Sequence, residues 1–286
     1  MGYSSGNAGK QTGGAPGRWP QQLRRLAKWD WKIAGRLLEW AASAAVGMAV
    51  VWGWAKIENR WQQTPFREIW RPVVQGADSI PIVIGGVRLD TFTPNGTNKP
   101  ARLPNNVLLV GVDDGMGMSL LRESFARAFG HLRVTLHEPQ DFGDKNLTSF
   151  ISVGGPSVNS VTGRILANMT GIRMFYPEHY AMVGQRRFSA EEDRQGNVIK
   201  DFGFIIMAPN PLAQAHHVCV VFGIWPYGTS AALQVLSRPD PKDKLFQQFA
   251  RKVRSRSPVL AVLETKVQDL QRGTPTLIEV KDLALR

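Results

Sequence analysis

Between residues 80 and 238 short apolar runs alternate with segments whose apolar residues recur every three or four positions. IPIVIGG (80–86), NVLLVGVDD (106–114), RVTLHEP (133–139), LTSFISVGGP (147–156), GIRMFYP (171–177), FGFIIMAPNP (202–211) and HHVCVVFGIWPYGT (216–229) read as strands closed by Gly, Pro or Asp. MSLLRESFARAFG (118–130) puts Leu121, Phe125 and Phe129 on one helical face, with Gly130 as a stop. SVNSVTGRILANMTG (157–171), with Ser157 or Asn159 near its cap, and SAALQVLSR (230–238) read as further helices. The alternation predicts an α/β fold: a mostly parallel sheet with flanking helices. Residues 180–204, with Asp193, Gln195, Gly196 and Asn197 at a turn, read as an antiparallel excursion. Beyond 238 come a basic amphipathic helix, KDKLFQQFARKVRS (242–255), and a terminal strand pair.

The pattern before residue 80 is different. Residues 1–32, rich in Gly, Ser, Gln and Pro, read as a flexible basic tail. Trp40 to Ala55 is an apolar run of 16 residues, short of the roughly 20 that cross a bilayer as a helix. Extension back to Ile33 gives 23 residues, with Arg36 and Glu39 included. Seven of the nine tryptophans (29, 31, 40, 52, 54, 61 and 70) flank or punctuate this region, as indole rings do at the headgroup boundary. Residues 33–55 are therefore expected to form a transmembrane or in-plane membrane helix, with 56–79 as a linker, 80–238 as the α/β domain and 239–286 as the basic helix and strand pair.

Charge sharpens this division. Residues 1–72 carry 11 basic and 4 acidic side chains and residues 238–286 carry 11 and 6, whereas the middle carries 13 of each. Basic flanks around a neutral domain fit an anionic membrane surface and argue against nucleic acid as the partner. The single cysteine excludes an internal disulfide framework and any multi-cysteine metal site, and Cys219, inside VCVVFG, reads as an inert buried thiol. The adjacent His216 and His217 lack metal-ligand spacing, so no metal is expected. No cofactor is named by any motif, and a homo-oligomer stays open.

Ligands of open α/β sheets sit outside the carboxyl ends of the strands. Those ends give Gly154 and Gly155 with Asn159 in GGPSVN, Asp113 and Asp114 in GVDDGMG, PNP at 209–211, and Tyr227 and Thr229 in GIWPYGT. Small residues admit a ligand close to the backbone, helix starts offer N–H groups, and carboxylates accept ribose hydroxyls. GVDDGMGMS lacks the full GxGxxG spacing and is not a phosphate loop. DFG at 141–143 and 201–203 has no accompanying kinase elements. Glu178 and Asp201 are the acidic candidates for catalysis.

GGPSVN, DFGFIIMAPNP and VVFGIWPYGTSAA together resemble Rossmann-like nucleotide-recognition domains, in the style of the SLOG and TIR-like sensor or effector domains of bacterial immunity systems. The resemblance covers about 80–238 and implies a nucleotide or nucleotide-derived ligand. The leading expectation is thus a membrane-anchored α/β domain that binds a nucleotide-like small molecule. An enzyme acting at a nucleotide N-glycosidic bond, and a non-catalytic structural or interaction protein at the membrane, are the alternatives. Lys and Arg counts favour an external domain, but an in-plane helix and an intracellular ligand favour the cytoplasmic face, which is the side expected here.

Overall fold

The computed structural model describes residues 64–92, 101–143, 148–176, 178–269 and 271–286, together with Met48, Val51 and Trp52. The chain divides into two compact units, Met1–Asn59 and Arg60–Arg286. In the first, Met48, Val51 and Trp52 are helical and exposed. Among the described residues no helix is long and apolar enough to cross a membrane. The rest of the expected membrane segment at 33–55 lies outside the described residues.

The second unit opens with helix α1 (64–74), followed by strands β1 (Ser79–Ile84), β2 (Val87–Phe92) and β3 (Ala101–Leu109). Helix α2 (Val112–Ala128), β4 (Arg133–His137), β5 (Phe150–Val153) and helix α3 (Ser160–Ala167) come next. Then follow β6 (Met169–Thr170), β7 (Ile172–Phe175), β8 (Tyr180–Val183), β9 (Arg186–Ser189), β10 (Glu191–Glu192), β11 (Val198–Asn210) and β12 (Ala213–Gly223). Helices α4 (Pro226–Ser237) and α5 (Lys244–Arg254) precede β13 (Val259–Gln268), β14 (Gln271–Arg272), β15 (Thr276–Asp282) and β16 (Ala284–Leu285).

The main sheet is mixed, not mostly parallel. Its order is β14-β13-β11-β12-β5-β1-β4, with β15 also beside β13 and β10 beside β11. β4, β1, β5 and β12 run parallel. β11 is antiparallel to both β12 and β13. The reason is local: only Pro211 and Leu212 separate β11 from β12, and so short a connection permits only an antiparallel return. One consequence is that PNP (209–211) lies at the opposite edge of the sheet from the carboxyl ends of the parallel strands.

The sheet divides two cores. Ile205 and Met207 of β11, Cys219 and Val221 of β12, and Val259, Ala261 and Leu263 of β13 face α1, α2, α4 and α5. Phe204, Ile206, Val218, Val220, Phe222, Leu260 and Val262 face α3 and the small β7-β8-β9 sheet. Period-two alternation with both faces apolar explains why these strands read as continuous hydrophobic runs. Burial pushes the Cys219 thiol up, and it is an enclosed hydrophobe.

Two sequence expectations change here. The linker expected at 56–79 contains α1, whose Phe66, Ile69, Trp70 and Val73 are buried in the first core. Trp70 is fully buried, donates to the Leu236 carbonyl at 3.4 Å and packs on Phe125 at 4.8 Å, so it is a core ring and not part of a membrane girdle. NVLLVGVDD, expected as one strand, splits. β3 ends at Leu109 and pairs with β2 in a separate two-stranded sheet, while Asp113 and Asp114 lie in the first turn of α2, where carboxylates complement the helix dipole.

Candidate functional site

The carboxyl ends of β1, β5 and β12 meet at one edge of the sheet, joined there by the start of β11 and the end of β13. Two strand–helix turns, 154–159 and 223–228, form the middle of this edge.

In the first turn, Asn159 is fully buried and caps α3. Its Oδ1 accepts from the Val161 and Thr162 amides at 3.0 and 3.3 Å. Its Nδ2 donates to the Val83 and Val153 carbonyls and to Ser152 Oγ, at 3.2, 2.9 and 3.1 Å. One side chain thus ties β1, β5 and α3 together and has no hydrogen-bonding capacity left for a ligand. The Gly154 amide donates to Val221 and its carbonyl accepts from Thr162 Oγ1. Gly155 is small for a specific reason: a Cβ there would stand 2.5 Å from the Tyr176 hydroxyl. The space over Gly155 is therefore filled by Tyr176, which also bonds Ser157, and burial holds its hydroxyl above the ordinary phenol range.

The second turn is organised by Asp201 at the start of β11. Its carboxylate, fully buried, accepts from its neighbour Phe202 at 2.8 Å, from the Trp225 amide at 3.1 Å and from the Gly228 amide at 2.5 Å. Trp225 is the N-cap residue of α4 and supplies no side-chain cap, so Asp201 caps the helix from a neighbouring strand. The approach is close because Gly203 and Gly228 meet backbone to backbone; a Cβ on either would overlap the other segment. Burial nevertheless outweighs these hydrogen bonds, and with Asp114 nearby it pushes the Asp201 carboxyl up to about 7. Sequence reasoning placed Asp201 among catalytic candidates; both of its oxygens are engaged by the β12–α4 turn.

Around this turn stands a group whose polar atoms are not all engaged. Asp114 is pushed up to about 7 by burial first and by Asp113 second, and its Oδ1 is buried without a partner. Trp225 stacks on His179 with ring centroids 4.4 Å apart and planes at 18°. Trp225 Nε1 and His179 Nδ1 are likewise buried and unpartnered. His179 holds a left-handed backbone (φ 49°), a strained conformation of the kind that gathers at functional sites. Tyr176 meets His179 edge-on at 6.0 Å. On the other side Arg272 of β14 donates to Ser230 Oγ at 2.8 Å and to Gln234 Oε1, and it is coupled electrostatically to Asp113.

Of the sequence-predicted site residues, Asp113, Asp114, Tyr227 and Thr229 reach this edge on the first turns of α2 and α4. Tyr227 is half-buried and Thr229 buried. Gly154, Gly155 and Asn159 reach it as well, as elements of packing. Glu178 is exposed in the β7–β8 turn. Tyr176, His179, Trp225 and Arg272 were missed. Only the aromatic content of FYPEHY and IWPY signalled three of them, and nothing in the sequence signalled Arg272. Comparison with protein-family models, with curated proteins and with solved structures returns no match.

Proposed function

We propose that this chain is a membrane-anchored α/β protein that binds a nucleotide-like small molecule at the carboxyl edge of its parallel strands. One observation carries the reading. Of the four buried side-chain polar atoms without partners among the described residues, three (Asp114 Oδ1, His179 Nδ1 and Trp225 Nε1) belong to this edge. Buried polar atoms are costly when unpaired, so a ligand that satisfies them gains affinity directly. An acceptor beside an acidic pair suits ribose hydroxyls, and the half-buried indole–imidazole stack suits the edge of a base. The membrane anchor is the apolar run with its tryptophan flanks.

Binding is favoured over N-glycosidic bond cleavage, because Asp201 is enclosed by backbone donors and Glu178 stands apart on an exposed turn. The test is thermal unfolding of the full chain against nucleosides, mono-, di- and triphosphates, dinucleotides and cyclic dinucleotides, with product analysis of each mixture. A true ligand at 100 times its Kd stabilises by about 2.7 kcal/mol, and Asp114→Asn weakens that gain. No shift with any member of the panel rejects the reading, and turnover of a stabilising member moves it to the enzyme.

A further inference from the structure

We infer that the face formed by α1 and α5 lies on an anionic lipid surface, as a second and electrostatic membrane contact. The inference deepens the membrane reading above. α5 turns Phe246, Phe249, Ala250 and Val253 into the core and leaves Lys244, Arg251 and Arg254 exposed. α1 buries Phe66, Ile69, Trp70 and Val73 and leaves Arg67 and Arg71 exposed. The helices lie side by side: Arg254 pairs with Glu68 at 3.3 Å, and Arg256, just beyond α5, donates to Gln75 at 3.0 Å. Together α1 and α5 carry six basic residues and one acidic residue, Glu68. Lys252 is held by Asp282 and Arg254 by Glu68, which leaves Arg67, Arg71, Arg251 and Lys244 to define the face.

A face so biased in sign fits a surface of opposite charge. Lipid is the surface favoured, for two reasons. All four aromatic rings of the two helices, Phe66, Trp70, Phe246 and Phe249, are buried, so no exposed ring on them stacks a nucleic-acid base. The same chain carries a lipid-seeking segment, since only eight residues, 56–63, join the apolar run proposed as the anchor to α1 in sequence. Because anionic lipid is concentrated in the cytoplasmic leaflet, the same face selects the cytoplasmic side.

The full chain is labelled at Gln247→Cys, an exposed position between Lys244 and Arg251; buried Cys219 is shielded from the dye. Energy transfer to headgroup-labelled lipid is then read on phosphatidylcholine vesicles and on vesicles containing phosphatidylserine. Higher transfer on phosphatidylserine, abolished at about 1 M salt, supports the inference. The ratio of docked to undocked domain should fall about fivefold for each arginine replaced among Arg67→Gln, Arg71→Gln and Arg251→Gln, with unfolding temperatures unchanged. Attachment to both vesicle types with equal transfer rejects the basic face and leaves the anchor standing. Salt-sensitive attachment to phosphatidylserine vesicles alone supports the face and removes the anchor. Attachment to neither rejects both. Tighter binding of a single-stranded oligonucleotide than of phosphatidylserine vesicles, through the same arginines, overturns the lipid assignment.

Discussion

The two strand–helix turns at the carboxyl edge look alike in sequence and differ in what they leave unused. In 154–159 every polar group of Asn159 is matched, and the room above Gly155 is occupied by Tyr176. In 223–228 the backbone is matched through Asp201, but the Trp225 indole N–H and the His179 ring beside it are not. Two glycines and a helix start therefore do not define a ligand site. The unmatched polar atoms are the better guide, because unlike close packing they have no explanation within the fold.

The comparison breaks most readily at Asn159. Asn159→Ala removes a buried cap and strands two strand carbonyls, and should cost about 3 kcal/mol in urea unfolding. A loss below about 1 kcal/mol would remove Asn159 as the tie between β1, β5 and α3.

The carboxylates give the next largest effect. Asp114 and Asp201 both rise from 3.8 to about 7 on folding. Between those values the folded chain holds protons that the unfolded chain has released. Their contribution therefore favours the fold as pH falls from about 7 towards 4 and is lost as pH rises through 7. Asp114→Asn should flatten the stability profile between pH 5 and 8 by about 1–3 kcal/mol relative to wild type. Parallel profiles would place Asp114 in solvent.

Gly155→Val presses on the Tyr176 hydroxyl and should cost about 1–3 kcal/mol, weakening ligand binding only through Tyr176, which meets the His179 ring. Stability lost with binding intact separates the first turn from the site. The finest contrast is Trp225→Phe, which keeps the ring stack and removes only the N–H. Stability should change by less than about 1 kcal/mol, and affinity for the stabilising nucleotide should fall about tenfold. An unchanged Kd would falsify the assignment of Trp225 to the ligand.

Sequence periodicity located most strands and helices of 80–238, though not β2, because both cores impose it directly: alternation on β11 and β12, a three-to-four spacing on α2. It failed where long-range partners decide. Nothing local says that β3 leaves the main sheet for β2, or that β13 inserts beside β11. Trp70 resembled an interfacial tryptophan because its burial depends on Phe125 and Leu236, far along the chain. The carboxyl edge was legible as a location, and Asp113, Asp114, Tyr227 and Thr229 reach it. Its chemistry was not, since Arg272 arrives from β14 and the role of Asp201 depends on the amides of Trp225 and Gly228.

The burial of Trp70 also bears on how the protein responds to force. α1 is the segment through which any pull from the N-terminal side enters the domain, and it is no slack tether. Phe66 and Trp70 are interleaved with Phe125 of α2, at 5.3 and 4.8 Å, and Trp70 reaches the end of α4. A pull on the N-terminal side of α1 is thereby delivered to the two helices that carry the Asp114 turn and the Trp225 turn. The same interleaving sets where the domain is severable. A cut at residue 73 discards three of the four buried α1 side chains, and a cut ahead of residue 64 keeps them all.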